Sequence, residues 1–362
     1  MSRAAARSTI IDVARAAGVS VSTVSRVING KGEVSEKTAL AVRGAMTEVG
    51  FTASPVARSL VGARTRLIGL HARNIGDDYV SSVLRGVARA VEEAGYGLLL
   101  FGGSAGDENP AAGLVTTLPD GLLVISPGLD EEPDRWPDDR PVVFVEPRSA
   151  GVPGVMADNV TGAAAAIEHL LALGHCRIGI VRGRPELSSS RDRLAGYEAA
   201  LAWAGIPIDP DLIAPGNNDR DSGLAAGRQL LALADPPTAI FATNDLEAVG
   251  VLTAARDLGI PVPNGLSVVG FDDQPPAQHT VPALTTIHQP LAEMGRRAVA
   301  MLLDWIAGTP PADQPDGALV MLPTHLVIRD SAGPAPASLA AVDGGRGLSP
   351  SAVTRLDAGR RA

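Results

Sequence analysis

The chain has 362 residues, 45% hydrophobic and only 3% aromatic, with one cysteine and a formal net charge of −9. That length exceeds a single small core and points to two or three domains, while the lone Cys176 excludes an internal disulfide and any multi-cysteine metal site. No apolar run reaches the length of a membrane span, and Asp12 and Arg15 interrupt any apolar core behind the first arginines, so the expected location is the cytoplasm.

The charge is split along the chain. Residues 1–66 carry ten Lys or Arg against four Asp or Glu, a balance of +6, and the remainder carries −15. A basic head on an acidic body points to a polyanionic partner for the head alone. In the head, Thr9 and Asp12 form a capping-box pattern, after which Ile10, Val13, Ala14 and Ala17 make one apolar face that Gly18 terminates. Ser20 caps a second helix with Val24, Val27 and Ile28 inward. A third helix runs from after Ser35 to about Val49, with Val42, Ala45, Met46 and Val49 as its inner stripe. Two short helices joined by a tight glycine turn, followed by a third, predict a helix-turn-helix unit. The outward face of the second helix carries small hydroxyls, an Asn and Arg26, which suit phosphate contacts and a bidentate contact to guanine. Ser54 and Pro55 then open a short helix over 55–61, too short to be stable alone.

The stretches "TIIDVARAAGVSVSTVSRVING", "VSEKT" and "SPVARSLVGARTRLIGL" resemble the LacI/GalR family of bacterial transcriptional regulators, and the similarity continues to about residue 330. The resemblance implies that Val21, Ser22 and Arg26 face the major groove, with Ser20, Thr23, Ser25 and Asn29 near the backbone and Thr9 completing the DNA-contacting set. It also implies a hinge helix in which Leu60 wedges into a minor-groove base step beside Ala57. Apolar wedges that kink a duplex have an independent physical basis. Ile11 stands where the family more often has Lys or Tyr, so a contact there is expected to be missing.

From Arg66 onward, strands and helices alternate. "LIGLHA", "GLLLFG", "GLLVIS", "PVVFVE", "RIGIVRG", "AIFATND" and "LSVVGFDD" read as strands, with helices between them that include one around Val83–Ala94. Such alternation predicts parallel sheets with helices on both faces, repeated in two similar lobes. Ligands of such sheets bind at the carboxyl ends of strands. Glu146, Asn244 and Asp272-Asp273 end strands there, and Arg193 opens a helix just before Gly196-Tyr197. Each taken singly can be a helix cap; together they suit a polyhydroxylated ligand, whose vicinal hydroxyls donate and accept. The resemblance implies that Arg193, Asn244 and Asp272 contact the effector, commonly a sugar, with Gln289 near the cleft. Two departures leave the effector class open: Asn218 replaces a stacking aromatic, and Asp77, Asp78 and Tyr79 replace an Asn-Pro-aromatic-aromatic run. Tyr79, Glu146 and Asn218 complete the candidate effector-binding set.

The expected fold is thus an N-terminal all-α helix-turn-helix domain (8–53), a hinge helix and linker (54–66), and a two-lobed α/β domain of the type I periplasmic-binding-protein-like class (67–330). Its N-lobe is expected to hold 67–160 and 290–318 and its C-lobe 161–289 and 319–330, with a disordered, Ala-, Gly-, Ser- and Pro-rich tail over 331–362. The expected function is repression of transcription by a homodimer on near-palindromic operator DNA under a small-molecule effector, with no cofactor, metal or membrane. The alternative is a solute-binding protein of the same two-lobed class, which residues 9–60 disfavour. No glycine-rich phosphate loop follows the first strand, and His175, His279 and His288 lack metal-ligand spacing, so an enzyme is not expected. His71 reads as a core histidine near the cleft, and Cys176 as a small buried thiol at a strand start.

Overall fold

A computed structural model describes residues 8–29, 34–51, 64–103, 117–125, 136, 139–147, 151–310 and 319–336. The head is three helices: α1 (Ile10–Ala17), α2 (Val21–Asn29) and α3 (Glu36–Glu48). Their apolar stripes meet as expected, with Val13, Ala14, Val24, Val42 and Ala45 buried together and Ile10, Ala17, Val27, Ile28, Met46 and Val49 packed around them. The turn between α1 and α2 depends on Gly18, whose φ of +66° an L side chain rarely adopts. The expected hinge helix over 55–61 lies outside the described residues.

The first lobe contains β1 (Leu67–Ala72), α4 (Asp78–Glu93), β2 (Gly97–Gly102), β3 (Gly121–Ile125), β4 (Val142–Val145) and β5 (Gly154–Ala157). The second contains α5 (Asn159–Ala172), β6 (Ile178–Arg182), α6 (Ser188–Trp203), β7 (Ile213–Pro215), α7 (Arg220–Leu231), β8 (Ala239–Ala242), α8 (Asp245–Asp257), β9 (Ser267–Asp272), a short α9 (Pro275–Gln278) and β10 (Thr285–His288). The chain then returns to the first lobe with α10 (Leu291–Ile306) and β11 (Leu319–Leu322), and ends with β12 (His325–Val327). The sheets run β11-β5-β4-β3-β1-β2 and β12-β10-β9-β8-β6-β7. Every described pairing is parallel except β10 with β12.

The continuous apolar runs explain the arrangement, because a parallel sheet is covered on both faces and its inner strands need no polar alternation. β3, β4, β8 and β9 are buried at every residue. In the second lobe, α5 and α6 cover one face around Ile178, Ile180, Phe241 and Phe271, and α7 and α8 cover the other around Val181, Ile240 and Val268. Helix pairs meet through glycines. A Cβ on Gly86 of α4 would fall 1.8 Å from the Ala292 carbonyl oxygen at the start of α10, so those helices approach backbone to backbone.

Five expectations are corrected. The helix expected to open at Arg193 begins at Ser188, so Arg193 lies within it. The helix expected around Val83–Ala94 begins at Asp78, because the Asp77 side chain accepts from the Tyr79 amide and caps it. Residues 319–322, assigned to the C-lobe, form β11 and pair in parallel with β5 of the first sheet. Residues 331–336, assigned to the disordered tail, are ordered along the second lobe: Ser331 Oγ donates to the Val268 carbonyl, and the Gly333 amide donates to Ser267 Oγ at 3.0 Å. The rest of that tail, 337–362, lies outside the described residues. Cys176 is exposed. The neighbouring His175 takes the buried position, bridging Thr238 Oγ1, Ser267 Oγ and the Gly333 carbonyl at 2.9–3.0 Å.

Candidate functional site

Part of the outward face expected of the head is exposed. Ser20 accepts from the Thr23 amide at 3.1 Å and starts α2, and its hydroxyl also bonds those of Ser22 and Thr23. Val21, Ser22 and Arg26 are exposed, whereas Thr23 and Ser25 are half-buried. Val21 is 43% exposed although apolar, because Val24 turns the other side of the helix to the core. Thr9 is exposed and locked to Asp12 in a complete capping box, the Asp12 carboxylate accepting from both the Thr9 amide and hydroxyl. Those bonds hold the Asp12 carboxyl below its usual range. Ile11 projects outward, 56% exposed. Asn29 ends α2, with its side chain outside the described set, as are Ala57 and Leu60.

The second site is a cavity of about 340 Å³ at the carboxyl ends of strands of both sheets, and Tyr79, Glu146, Arg193, Asn218, Asn244 and Asp272 all line it. The backbone there is unusual: Glu146, Asn218, Asp272 and Asp273 have φ of +56°, +63°, +117° and +56°. Left-handed non-glycine residues cost about 1–3 kcal/mol each and persist where surrounding bonds over-determine them, often at binding sites. Those bonds are identifiable. Asn218 donates its amide to Glu247 Oε1 at 2.9 Å and accepts the Arg184 amide on Oδ1 at 2.8 Å. Glu247 is wholly buried, also accepts from Thr243 Oγ1, and is pushed by burial to a pKa of about 7.

At the centre, Arg193 of α6 is buried, with its guanidinium carbon 3.8 Å from the centroid of the Phe271 ring. Its Nη1 donates to Asp272 Oδ1 at 3.1 Å and to the Thr243 carbonyl. Its Nε donates to Asn159 Oδ1 at 2.9 Å. Asn159 in turn donates to Glu146 Oε2 at 3.3 Å, and Glu146 Oε1 accepts the Ala157 amide at 3.0 Å. Burial raises Glu146 to a pKa of about 7 and Asp272 to about 6, against the lowering influence of Arg193 on both. The chain Glu146–Asn159–Arg193–Asp272 therefore begins on the first sheet and ends on the second. A direct bond joins the lobes beside it: Ser188 Oγ donates to the Pro147 carbonyl at 2.8 Å.

Two sequence-predicted residues do different work from a ligand contact, and Asn244 does structural work besides lining the cavity. Gln289 does not line the cavity; it is buried behind Asp272, donating Nε2 to Oδ1 at 2.5 Å. Asp273 turns away from Asp272, accepting from Arg329 and from His288 Nδ1. Asn244 caps α8, its Oδ1 accepting the Glu247 amide at 2.7 Å, which leaves Nδ2 as a donor. His71 is buried, with the Phe101 and Trp136 rings at 5.6 and 5.2 Å. Sequence reasoning missed Arg73, Arg184 and Gln274, which line the cavity, and Asn159, which ties it together. The available signal was position: Arg73 immediately follows β1, and Arg184 follows β6 by two residues. Among the described residues no group of His, Cys, Asp and Glu could hold a metal ion, and no helix is long and apolar enough to cross a membrane.

Comparison with known proteins adds two family matches: "Bacterial regulatory proteins, lacI family" over residues 9–54 and "Periplasmic binding protein-like domain" over residues 167–332. The HTH-type transcriptional regulator CelR of Thermobifida fusca is 35% identical over 338 residues, covering 90% of this chain and 98% of that protein. A solved CelR–cellobiose complex superposes with a TM-score of 0.67 at 32% identity, over 90% of this chain and all of that one. The lac repressor dimer bound to operator and the anti-inducer ONPF gives a TM-score of 0.77 at 28% identity, over 90% and 99%.

Proposed function

Since this chain belongs to the LacI family of bacterial regulatory proteins, a family of transcriptional regulators, we propose that it is a cytoplasmic repressor. It binds near-palindromic operator DNA as a homodimer, and a small polyhydroxylated effector between its lobes sets its affinity for that DNA. In the head, Arg26 reads a base edge, Val21 and Ser22 pack against the major groove, and Thr9, Ser20, Thr23, Ser25 and Asn29 serve the phosphate backbone. Ala57 and Leu60 act in the minor groove as a paired hinge. Two-fold protein symmetry requires two-fold operator symmetry. Similarity to an operator-bound repressor dimer and to a cellobiose-bound regulator supports the two partners proposed.

The observation that carries the reading is the polar chain from Glu146 to Asp272, which lines the cavity and crosses between lobes. A ligand that bonds Arg193, Asp272 and the free Nδ2 of Asn244 replaces or reinforces those links and so biases the angle between the lobes. The chain passes between the lobes at three adjacent places: before Asn159, after Gln289 and around Thr324. The Asp158 amide and carbonyl are bonded to Leu322 and Thr324, which binds two of the crossings together. A changed angle there alters the spacing of the two heads. The test is selection of bound duplexes from a random DNA pool by the full-length protein, followed by challenge with sugars and nucleosides. A near-palindromic consensus released or tightened by one of them is expected. Enrichment of no sequence would contradict the reading.

A further inference from the structure

We infer that the small molecule held between the lobes carries an anionic group, a phosphate or carboxylate, which Arg73 of the first lobe and Arg184 of the second clamp from opposite sides. The inference rests on the reading of the cavity as an effector site and adds the charge of its occupant.

The charged groups of the cavity differ in how far other residues already engage them. Three arginines line it: Arg73, Arg184 and Arg193. Arg193 is committed to Asp272, Asn159, the Thr243 carbonyl and the Phe271 ring, and it is buried. The carboxylates at the rim are held in place by neutral donors. Asp219 accepts the Ser222 amide on Oδ1 and Asn217 Nδ2 on Oδ2, both at 2.8 Å, and its carboxyl is held below the usual range by those bonds. Asp77 accepts the Tyr79 amide as a helix cap. Arg73 has no hydrogen bond or ion pair with any described residue and is exposed at the cavity rim. Arg184 has its backbone pinned by Asn218 but makes only a loose ion pair with Glu186, at 3.9 Å.

The two arginines occupy related places. β1 lies between β2 and β3 in its sheet, and β6 lies between β7 and β8 in the other. Arg73 follows the carboxyl end of β1 directly, and Arg184 follows β6 by two residues. Each lobe thus places one cation after its equivalent strand, the one beside the sheet edge, at the same cavity. One guanidinium without a partner among the described residues and one held only by a loose ion pair thus line the same cavity from separate lobes. Each offers a planar fork of donors suited to a phosphate or carboxylate. An anion bonded by both would link the two lobes, which ties the ligand's charge to its regulatory effect.

The experiment is thermal-shift and calorimetric titration of the full-length protein with matched pairs. These are hexoses and their 6-phosphates, hexoses and their uronates, and nucleosides and their 5′-monophosphates, with inorganic phosphate as the bare anion. The expected result is that one anionic member binds at least about tenfold tighter than its neutral parent. Arg73→Gln and Arg184→Gln should each remove most of that preference, while Arg73→Lys retains part of it. The phosphate and uronate series separate the two anion chemistries. Unchanged melting temperatures of the unliganded variants show that folding is intact. Binding of a neutral parent as tight as its anionic partner, indifference to both substitutions, or binding by no anionic member overturns the inference. The effector reading itself fails separately, when whatever binds leaves operator affinity unchanged.

Discussion

The Arg193 guanidinium and the Asp272 carboxylate meet at 3.1 Å, both almost fully buried at the carboxyl edge of the second sheet. Neither charge is tolerable there without the other, because breaking a buried pair leaves an uncompensated ion in a medium that solvates it poorly. Arg193→Ala therefore lowers unfolding free energy by about 3–5 kcal/mol. Asp272→Asn keeps an acceptor for Arg193 and Gln289 but leaves the Arg193 charge uncompensated, so it destabilises in the same range. Both variants lose the response to effector. Denaturant unfolding and effector titration on the same samples check this, and a stable Arg193→Ala protein with normal effector binding would remove the pair from the site.

Glu146 and Glu247 should make stability fall as pH rises from about 4.5 towards 7, whereas His169 and His175, lowered from 6.5 by burial, act in the opposite sense below that value. Burial raises Glu146 and Glu247 from an ordinary 4.5 to about 7 in the folded protein, so the folded state binds more protons than the unfolded one across that window. Their contribution is complete below the unfolded pKa and is lost as pH climbs through the folded one. Carboxylates held low by partners, such as Asp12, Asp209 and Asp257, act in the opposite sense and at more acid pH. Glu146→Gln should flatten the decline between pH 4.5 and 7; an unchanged slope would mean that Glu146 stays ionised.

In the head, Arg26→Ala should weaken operator binding by about 1–3 kcal/mol and relax preference at one base position per half-site. Its exposed side chain sits one helical turn from Ser22 on the same outward face. Affinities for a library of single-base operator variants decide between this and a backbone contact, which would weaken all sequences alike. Operator binding by the unaltered protein should also fall steeply with salt, because the basic head displaces counterions from several phosphates.

The parts of the fold that local chemistry determines were legible in the sequence. The head's stripe of Val13, Val24 and Val42 and the apolar runs that became β1, β3, β4, β8 and β9 announced themselves by period and composition. Glu146, Asn244 and Asp272 were legible by their place at strand ends, and Asn218 by its place in the family resemblance; all four line the cavity. What escaped depends on non-local pairing. β11 joins β5 across some 160 residues, so its four-residue run carries no mark of which lobe it enters. β7 is three residues long and ends in Pro215, so pattern alone gives no strand. Gln289 looked like a cleft residue because its segment borders the cleft, yet the side chain turns inward to Asp272. The left-handed backbone at Glu146 and Asp272 is imposed by the bonds around them and has no signature in residue type.

The central claim is that ligand in the cavity and operator on the head act through one lobe equilibrium, which makes their effects reciprocal. The most direct measurement is effector affinity by equilibrium titration of the free protein and of the protein saturated with its operator duplex. It is compared with operator affinity measured with and without saturating effector. The two ratios should agree, at a factor of roughly 5–150, and Asp272→Asn should bring both towards one. Effector that binds without changing operator affinity, or a coupling ratio that Asp272→Asn leaves intact, would contradict that coupling.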